Sequence, residues 1–134
     1  MTETELRMKG PSELAFVGDA VYELLARERI SGGAGGPPAK LHSEAISYVR
    51  ADAQASALEL LMPSLTEEEA DIVRRGKNAH KTAAPRGVAP KTYRAATALE
   101  ALFGWLYLGG HTQRMRELFE TVASAHDKGE NSVD

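Results

Sequence analysis

The stretch Lys91–Leu108, KTYRAATALEALFGWLYL, limits the possible folds more than any other part of the chain. Its apolar residues run almost all the way round a helical wheel, so a helix here has no broad face for water and must be surrounded by other elements. It carries one mid-helix acid, Glu100. Around that acid on the wheel sit Tyr93, Ala96, Thr97, Gly104 and Tyr107, which are mostly small or hydroxylated.

A second stretch has the same design. In Glu13–Ile30, ELAFVGDAVYELLARERI, the residues Leu14, Val17, Val21, Leu24 and Leu25 form one apolar stripe at helical spacing. Asp19 lies off that stripe, beside Ala15, Tyr22 and Ala26, and Gly18 next to it is small enough to admit another helix closely. A lone ionised carboxylate is costly to bury, so each acid requires a hydrogen bond, a cation or a metal. If the two small-residue faces pack together, Asp19 and Glu100 meet, and two carboxylates in one cleft repel unless a cation lies between them. This predicts a divalent-metal site. On composition alone an equal reading is a structural acid satisfied by a tyrosine or threonine hydroxyl.

The 134 residues suit one domain with a real core, expected over 1–134 with an ordered part at about 11–126 and a polar tail at 127–134. The absence of cysteine excludes disulfides, zinc fingers and thiolate chemistry. No segment has the unbroken apolar length of a membrane span and no signal-peptide pattern opens the chain, so a cytoplasmic protein without membrane contact is expected. The net charge of −3 is unevenly spread. Between Asp71 and Glu100 there is no acid, while Arg74, Arg75, Lys77, Lys81, Arg86, Lys91 and Arg94 all fall there. A basic patch on an acidic body suits a polyanion that docks in one place, although a solvated loop with helix-end lysines accounts equally well for the charge alone.

Every periodic stretch is helical, and all-α is the expected class. Met1–Gly10 reads as frayed or loosely docked, and Ser12 as the N-cap of the first long helix. The run SGGAGGPP, 31–38, lacks the GK[ST] of a phosphate-binding loop and reads as a linker. Ala39–Met62 is helical with a bend expected near Arg50–Asp52; Leu41, Ala45, Ile46 and Val49 form one stripe and Ala55, Leu58 and Leu61 another. His42 reads as a packing residue at a helix start. Thr66 and Glu69 make a capping box, and Gly76 stands where a C′ glycine belongs. The connection KNAHKTAAPRGVAP, 77–90, is long for a compact domain and reads as substrate-contacting. Gly109-Gly110 ends the central helix, Thr112 caps the last one, and Met115, Leu118, Phe119 and Val122 form its core stripe.

Three segments carry a family resemblance. FVGDAVYELL resembles the signature helix of the ribonuclease III nuclease domain, RRGKNAHK its RGK/RGRN segment, and TALEALFGWLYL its second signature, with Glu100 at the metal-binding glutamate. The likeness covers roughly Leu14–Leu108. Leu41-His42, Thr92–Arg94 and the lack of room for a following double-stranded-RNA-binding domain resemble the smaller Mini-ribonuclease III family. The resemblance implies a bacterial, homodimeric, Mg²⁺-dependent endoribonuclease, with Mn²⁺ able to substitute, that trims double-stranded stems of the 23S ribosomal RNA precursor. It implies products with 5′-phosphate and 3′-hydroxyl ends. Asp19 and Glu100 are then both metal ligands and catalytic residues. Where the larger family has further acids, this chain has Ser12, Ala15 and Thr97, with Glu13 and Glu23 the nearest substitutes. Arg75, Lys77, Asn78, Lys81, Lys91 and Arg94 are the candidate RNA contacts, since double-stranded RNA is read through its phosphates and 2′-hydroxyls. Arg94 is equally a structural ion-pair partner. The rival readings are a ribonuclease III-like domain that binds RNA without cutting it and a helical protein adaptor.

Overall fold

The computed structural model describes residues 1–79 and 83–131. In chain order the helices are α1 (Glu3–Arg7), α2 (Pro11–Ser31), α3 (Pro38–Val49), α4 (Ala51–Leu61), α5 (Glu67–Lys77), α6 (Pro90–Leu108) and α7 (Thr112–Asn131), with a 3-10 turn, Met62–Ser64, before α5. Among the described residues there is no strand, and none of their helices is long and apolar enough to cross a membrane.

The helix that is apolar nearly all round does lie at the centre. From Ala98 to Phe103 α6 buries Ala98, Leu99, Ala101, Leu102 and Phe103 completely, and α2, α4 and α5 pack around it with α7 at its end. The closest approach is between α2 and α6. A Cβ placed on Gly18 would lie 1.6 Å from the backbone oxygen of Glu100, and one on Gly104 would lie 1.9 Å from that of Leu14. Both positions therefore require glycine for backbone-to-backbone contact. That contact brings the middles of the two acid-bearing helices together.

Several local expectations change in the folded chain. The N-terminal ten residues are docked, not frayed: Thr2 caps α1 and Leu6 is buried in a small cluster with Leu14, Ile72 and Ala101. The N-cap of α2 is Gly10, with Pro11 starting the helix, so Ser12 is inside its first turn. Leu24 is 64% exposed, because the side of α2 that meets α6 is the one bearing Gly18. Ile46 likewise points outward, and α3 buries Ala45 and Tyr48 instead. Gly76 is not a C′ residue. It lies within α5, which Asn78 caps, and it is small because a Cβ there would come within 2.7 Å of the Ala98 Cα. The last helix begins at Thr112 itself, and Met115 N donates to His111 O, so the capping position belongs to His111.

Other expectations hold. The bend between α3 and α4 falls at Arg50, whose extended ψ of 151° breaks the helix. The Thr66/Glu69 capping box is formed in both directions, and the α7 stripe is buried throughout. The expected polar tail is the exception: the stretch from Ala125 continues α7 as far as Asn131, past the expected end of the ordered part at 126, with Arg29 to Asp127 at 2.7 Å and the Tyr48 ring stacked on His126.

Candidate active site

Asp19 on α2 and Glu100 on α6 face one small cleft of about 210 Å³, walled by Ala15 and Phe16 on one side and by Ala79, Tyr93 and Thr97 on the other. Asp19 is exposed at this cleft and Glu100 is set deeper. The Gly18–Gly104 crossing accounts for the convergence, since each acid is within one turn of the contact. Ala79 belongs to the basic connection between α5 and α6, so the cleft opens where the positive charge begins.

The electrostatics are those of two acids pressed together. Burial, then the charge of Asp19 and a hydrogen bond shared with it, push the Glu100 carboxyl up from 4.5 to about 8; a hydrogen bond from the Gln54 amide works in the opposite direction. No third Asp, Glu or His joins them in a metal-binding group among the described residues. The structural alternative, an acid satisfied by hydroxyls, finds little support. Thr97 Oγ1 donates to the backbone oxygen of Tyr93 at 3.0 Å, and the fully buried Tyr22 hydroxyl has no hydrogen-bond partner among the described residues. Burial raises the Tyr22 hydroxyl above its ordinary value, with Tyr48 and Glu100 adding to the effect. A divalent cation fits this donor set. Mg²⁺ is commonly held by one or two carboxylates while keeping several waters, and a cation beside Glu100 would offset the burial and the repulsion from Asp19 that push its carboxyl up.

The remaining sequence candidates divide. Ser12 lines the cleft. Glu13 pairs with Lys9 at 3.5 Å and Glu23 with Arg27 at 3.7 Å, and neither lines the cleft. Arg94 lines an adjoining hollow that shares Ala79, Tyr93 and Thr97 with the cleft, and it has no ion pair among the described residues. Lys77 and Lys91 face a different groove, together with Asp52 and Glu59. Arg75 donates to the Lys9 carbonyl at 3.3 Å, tying α5 to the turn after α1. Asn78 is exposed at the end of α5, and Lys81 lies outside the described residues. Sequence reasoning missed Gln54, although a lone amide on the Gln54, Ala57, Leu58 and Leu61 face of α4 was a readable signal. It also missed that Phe16, beside Asp19, is 82% exposed.

Comparison with known proteins shows the family and the fold. The family model described as Ribonuclease III domain matches residues 12–111. The chain is similar to the Mini-ribonuclease 3 of Symbiobacterium thermophilum, 44% identical over 120 residues that cover 90% of this chain and 92% of that one. It is 46% identical to the Mini-ribonuclease 3 of Gloeobacter violaceus over 111 residues, 81% of this chain and 78% of that one. An X-ray structure of a protein from Fusobacterium nucleatum superposes with a TM-score of 0.81 at 30% identity, covering 90% of this chain and 97% of that one.

Proposed function

The chain belongs to the Mini-ribonuclease III family, ribonuclease III-type endoribonucleases of double-stranded RNA, and on that premise we propose that Asp19 and Glu100 are its catalytic pair and hold Mg²⁺, with Mn²⁺ able to substitute. One observation carries the reading: two carboxylates from separate helices meet in one open cleft, and the deeper is pushed up to about 8 partly by the charge of the other. Such a pair has no structural benefit without a cation. A bound divalent cation supplies the positive charge and Lewis acidity that phosphodiester hydrolysis needs. Asp19 and Glu100 hold it at the cleft and keep negative charge there, while the packed α2–α6 backbones keep the two side chains in register.

The products on this reading carry 5′-phosphate and 3′-hydroxyl ends, and the substrate is a duplex stem of the 23S ribosomal RNA precursor in the cytoplasm. Arg94 is the candidate RNA contact nearest the cleft, with Arg75, Lys77, Asn78, Lys81 and Lys91 along the same basic segment. The whole chain acts as one domain. A homodimer is favoured by the outward stripe of Phe16, Ala20 and Leu24 on α2, one face at i, i+4 and i+8 next to Asp19.

The test is cleavage and binding of a duplex RNA in Mg²⁺ by the protein and by its Asp19→Asn variant. Cutting is expected to fall at least about a thousand-fold, roughly 4 kcal/mol of transition-state stabilisation, with duplex binding retained. Binding without cutting by both proteins would mean an inactive RNA-binding domain.

A further inference from the structure

Two hollows lie side by side where α6 begins. The acid cleft of about 210 Å³ and an adjoining hollow of about 430 Å³ share Ala79, Tyr93 and Thr97 as a common wall. The second hollow is lined further by Ala83, Ala84 and Pro90 and by one cation, Arg94, which has no ion pair among the described residues. Tyr93, Thr97 and Glu100 follow one another at i, i+4 and i+7, so one face of α6 carries both the acid and the shared wall. Of the two hydroxyls in that wall, the one on Thr97 gives its proton to the Tyr93 carbonyl at 3.0 Å. Tyr93 itself is half-buried, and its hydroxyl makes no hydrogen bond among the described residues. A phenol both donates and accepts. Tyr93 is therefore the member of the shared wall whose side chain is still free to do both.

We propose that Tyr93 is a specificity-determining residue of this site: its hydroxyl hydrogen-bonds the ribose 2′-hydroxyl next to the scissile phosphate, between the acid cleft and the Arg94 hollow. The inference rests on the reading above of Asp19 and Glu100 as the centre that takes the scissile phosphate. Consecutive phosphates of one strand are joined through one ribose. With one phosphate at the acids and its neighbour at the Arg94 guanidinium, a planar donor suited to phosphate oxygens, the ribose between them falls against the shared wall. The acids and Arg94 meet only phosphate, which RNA and DNA have in common. Ala83, Ala84 and Pro90 offer apolar contact that a deoxyribose would make equally well. The 2′-hydroxyl, a donor and an acceptor, is what lets a protein tell RNA from DNA at a given position. Tyr93 presents the matching group.

The experiment is a double-mutant cycle between protein and substrate. A short duplex RNA is cut in Mg²⁺ by the natural chain, and the scissile phosphate is mapped from end-labelled products. The duplex is then remade with a single 2′-deoxyribose on either side of that phosphate in turn. For each duplex kcat/KM is measured with the natural chain, Tyr93→Phe and Arg94→Gln, and the Tm of each chain is recorded. The natural chain is expected to lose about 5- to 10-fold for the deoxyribose on one side, the size of one hydrogen bond. Tyr93→Phe should show a similar loss on the all-ribose duplex and no further loss, within about two-fold, from the deoxyribose, at an unchanged Tm. Arg94→Gln should weaken cleavage of every duplex by one common factor, with the deoxyribose penalty kept. Losses that simply multiply in Tyr93→Phe overturn the inference. So does the lack of a deoxyribose penalty at either position in the natural chain, or a penalty that Arg94→Gln abolishes. Asp19→Asn tests the reading beneath it: cleavage unaffected by that change, or no cleavage by the natural chain, overturns the catalytic pair instead, and the inference with it.

Discussion

Glu69 and Glu100 are both withdrawn from water, and their surroundings are opposite. Glu69 is 4% exposed and receives a two-pronged interaction from Arg114, Nε to Oε2 and Nη2 to Oε1, each at 2.9 Å. The Thr66 backbone N–H donates to the same carboxylate at 3.0 Å, closing the capping box. Burial alone would raise Glu69, but Arg114 and Thr66 more than offset it and hold the carboxyl below its usual 4.5. Glu100 is partly buried in a cleft it shares with another acid, Asp19, and burial and that charge hold it well above that value. The first is a buried charge the fold has fully satisfied. The second is a charge the fold has left wanting a cation, and that difference marks one as architecture and the other as chemistry.

The comparison is sharpest in the pH dependence of stability, which also has the largest expected effect. Glu100 in the metal-free protein binds its proton more tightly folded than unfolded. Its contribution is therefore fully favourable below pH 4.5 and is lost as the pH rises towards 8, at a cost on the order of 4 kcal/mol. Saturating Mg²⁺ should flatten that slope. Glu69 works the other way: its folded value is depressed, so its contribution is present above pH 4.5 and is lost as the pH falls through the folded value. Urea unfolding at a series of pH values, with and without Mg²⁺, reads both; a metal-free stability that does not decline between pH 5 and 8 breaks the contrast.

Arg114→Leu tests the architectural half. It strands Glu69 as a buried carboxylate and should destabilise by about 3 kcal/mol, roughly 10 °C in Tm. Cleavage per folded molecule should be unchanged, because neither residue lines the acid cleft. Lost cleavage at full folding would show that the two regions are coupled. The smallest effect is expected for Tyr22→Phe. It removes a buried hydroxyl that has no hydrogen-bond partner among the described residues, so thermal melting should show unchanged or slightly raised stability, by under about 1 kcal/mol, with cleavage retained. A marked loss of cleavage would instead make Tyr22 a hidden partner of Glu100.

Much of this was legible before folding. The all-helical class followed from periodicity, the centrality of α6 from its lack of a polar face, and the capping box from Thr66 and Glu69 three residues apart. Single acids in otherwise apolar helices stand out at any separation in the chain, so Asp19 and Glu100 could be paired across 81 positions. The small residues beside them, Gly18 and Gly104, marked where two backbones can touch.

Those features belong to one helix at a time, and the sequence by itself determined them because capping, period and charge act within a few residues of the chain. What only the tertiary structure decided is which faces of separate helices meet. Gly76 is a spacer against Ala98 and not a helix stop, Leu24 and Phe16 face outward, and the basic residues part company: Lys77 and Lys91 share one groove, Arg94 lines another hollow, and Arg75 is tied to the Lys9 carbonyl. Gln54 is the clearest instance: its amide is buried only because α4 lies against α6. A helical pattern orients side chains about their own axis. The rotation of one axis against another is set by packing between helices far apart in the chain.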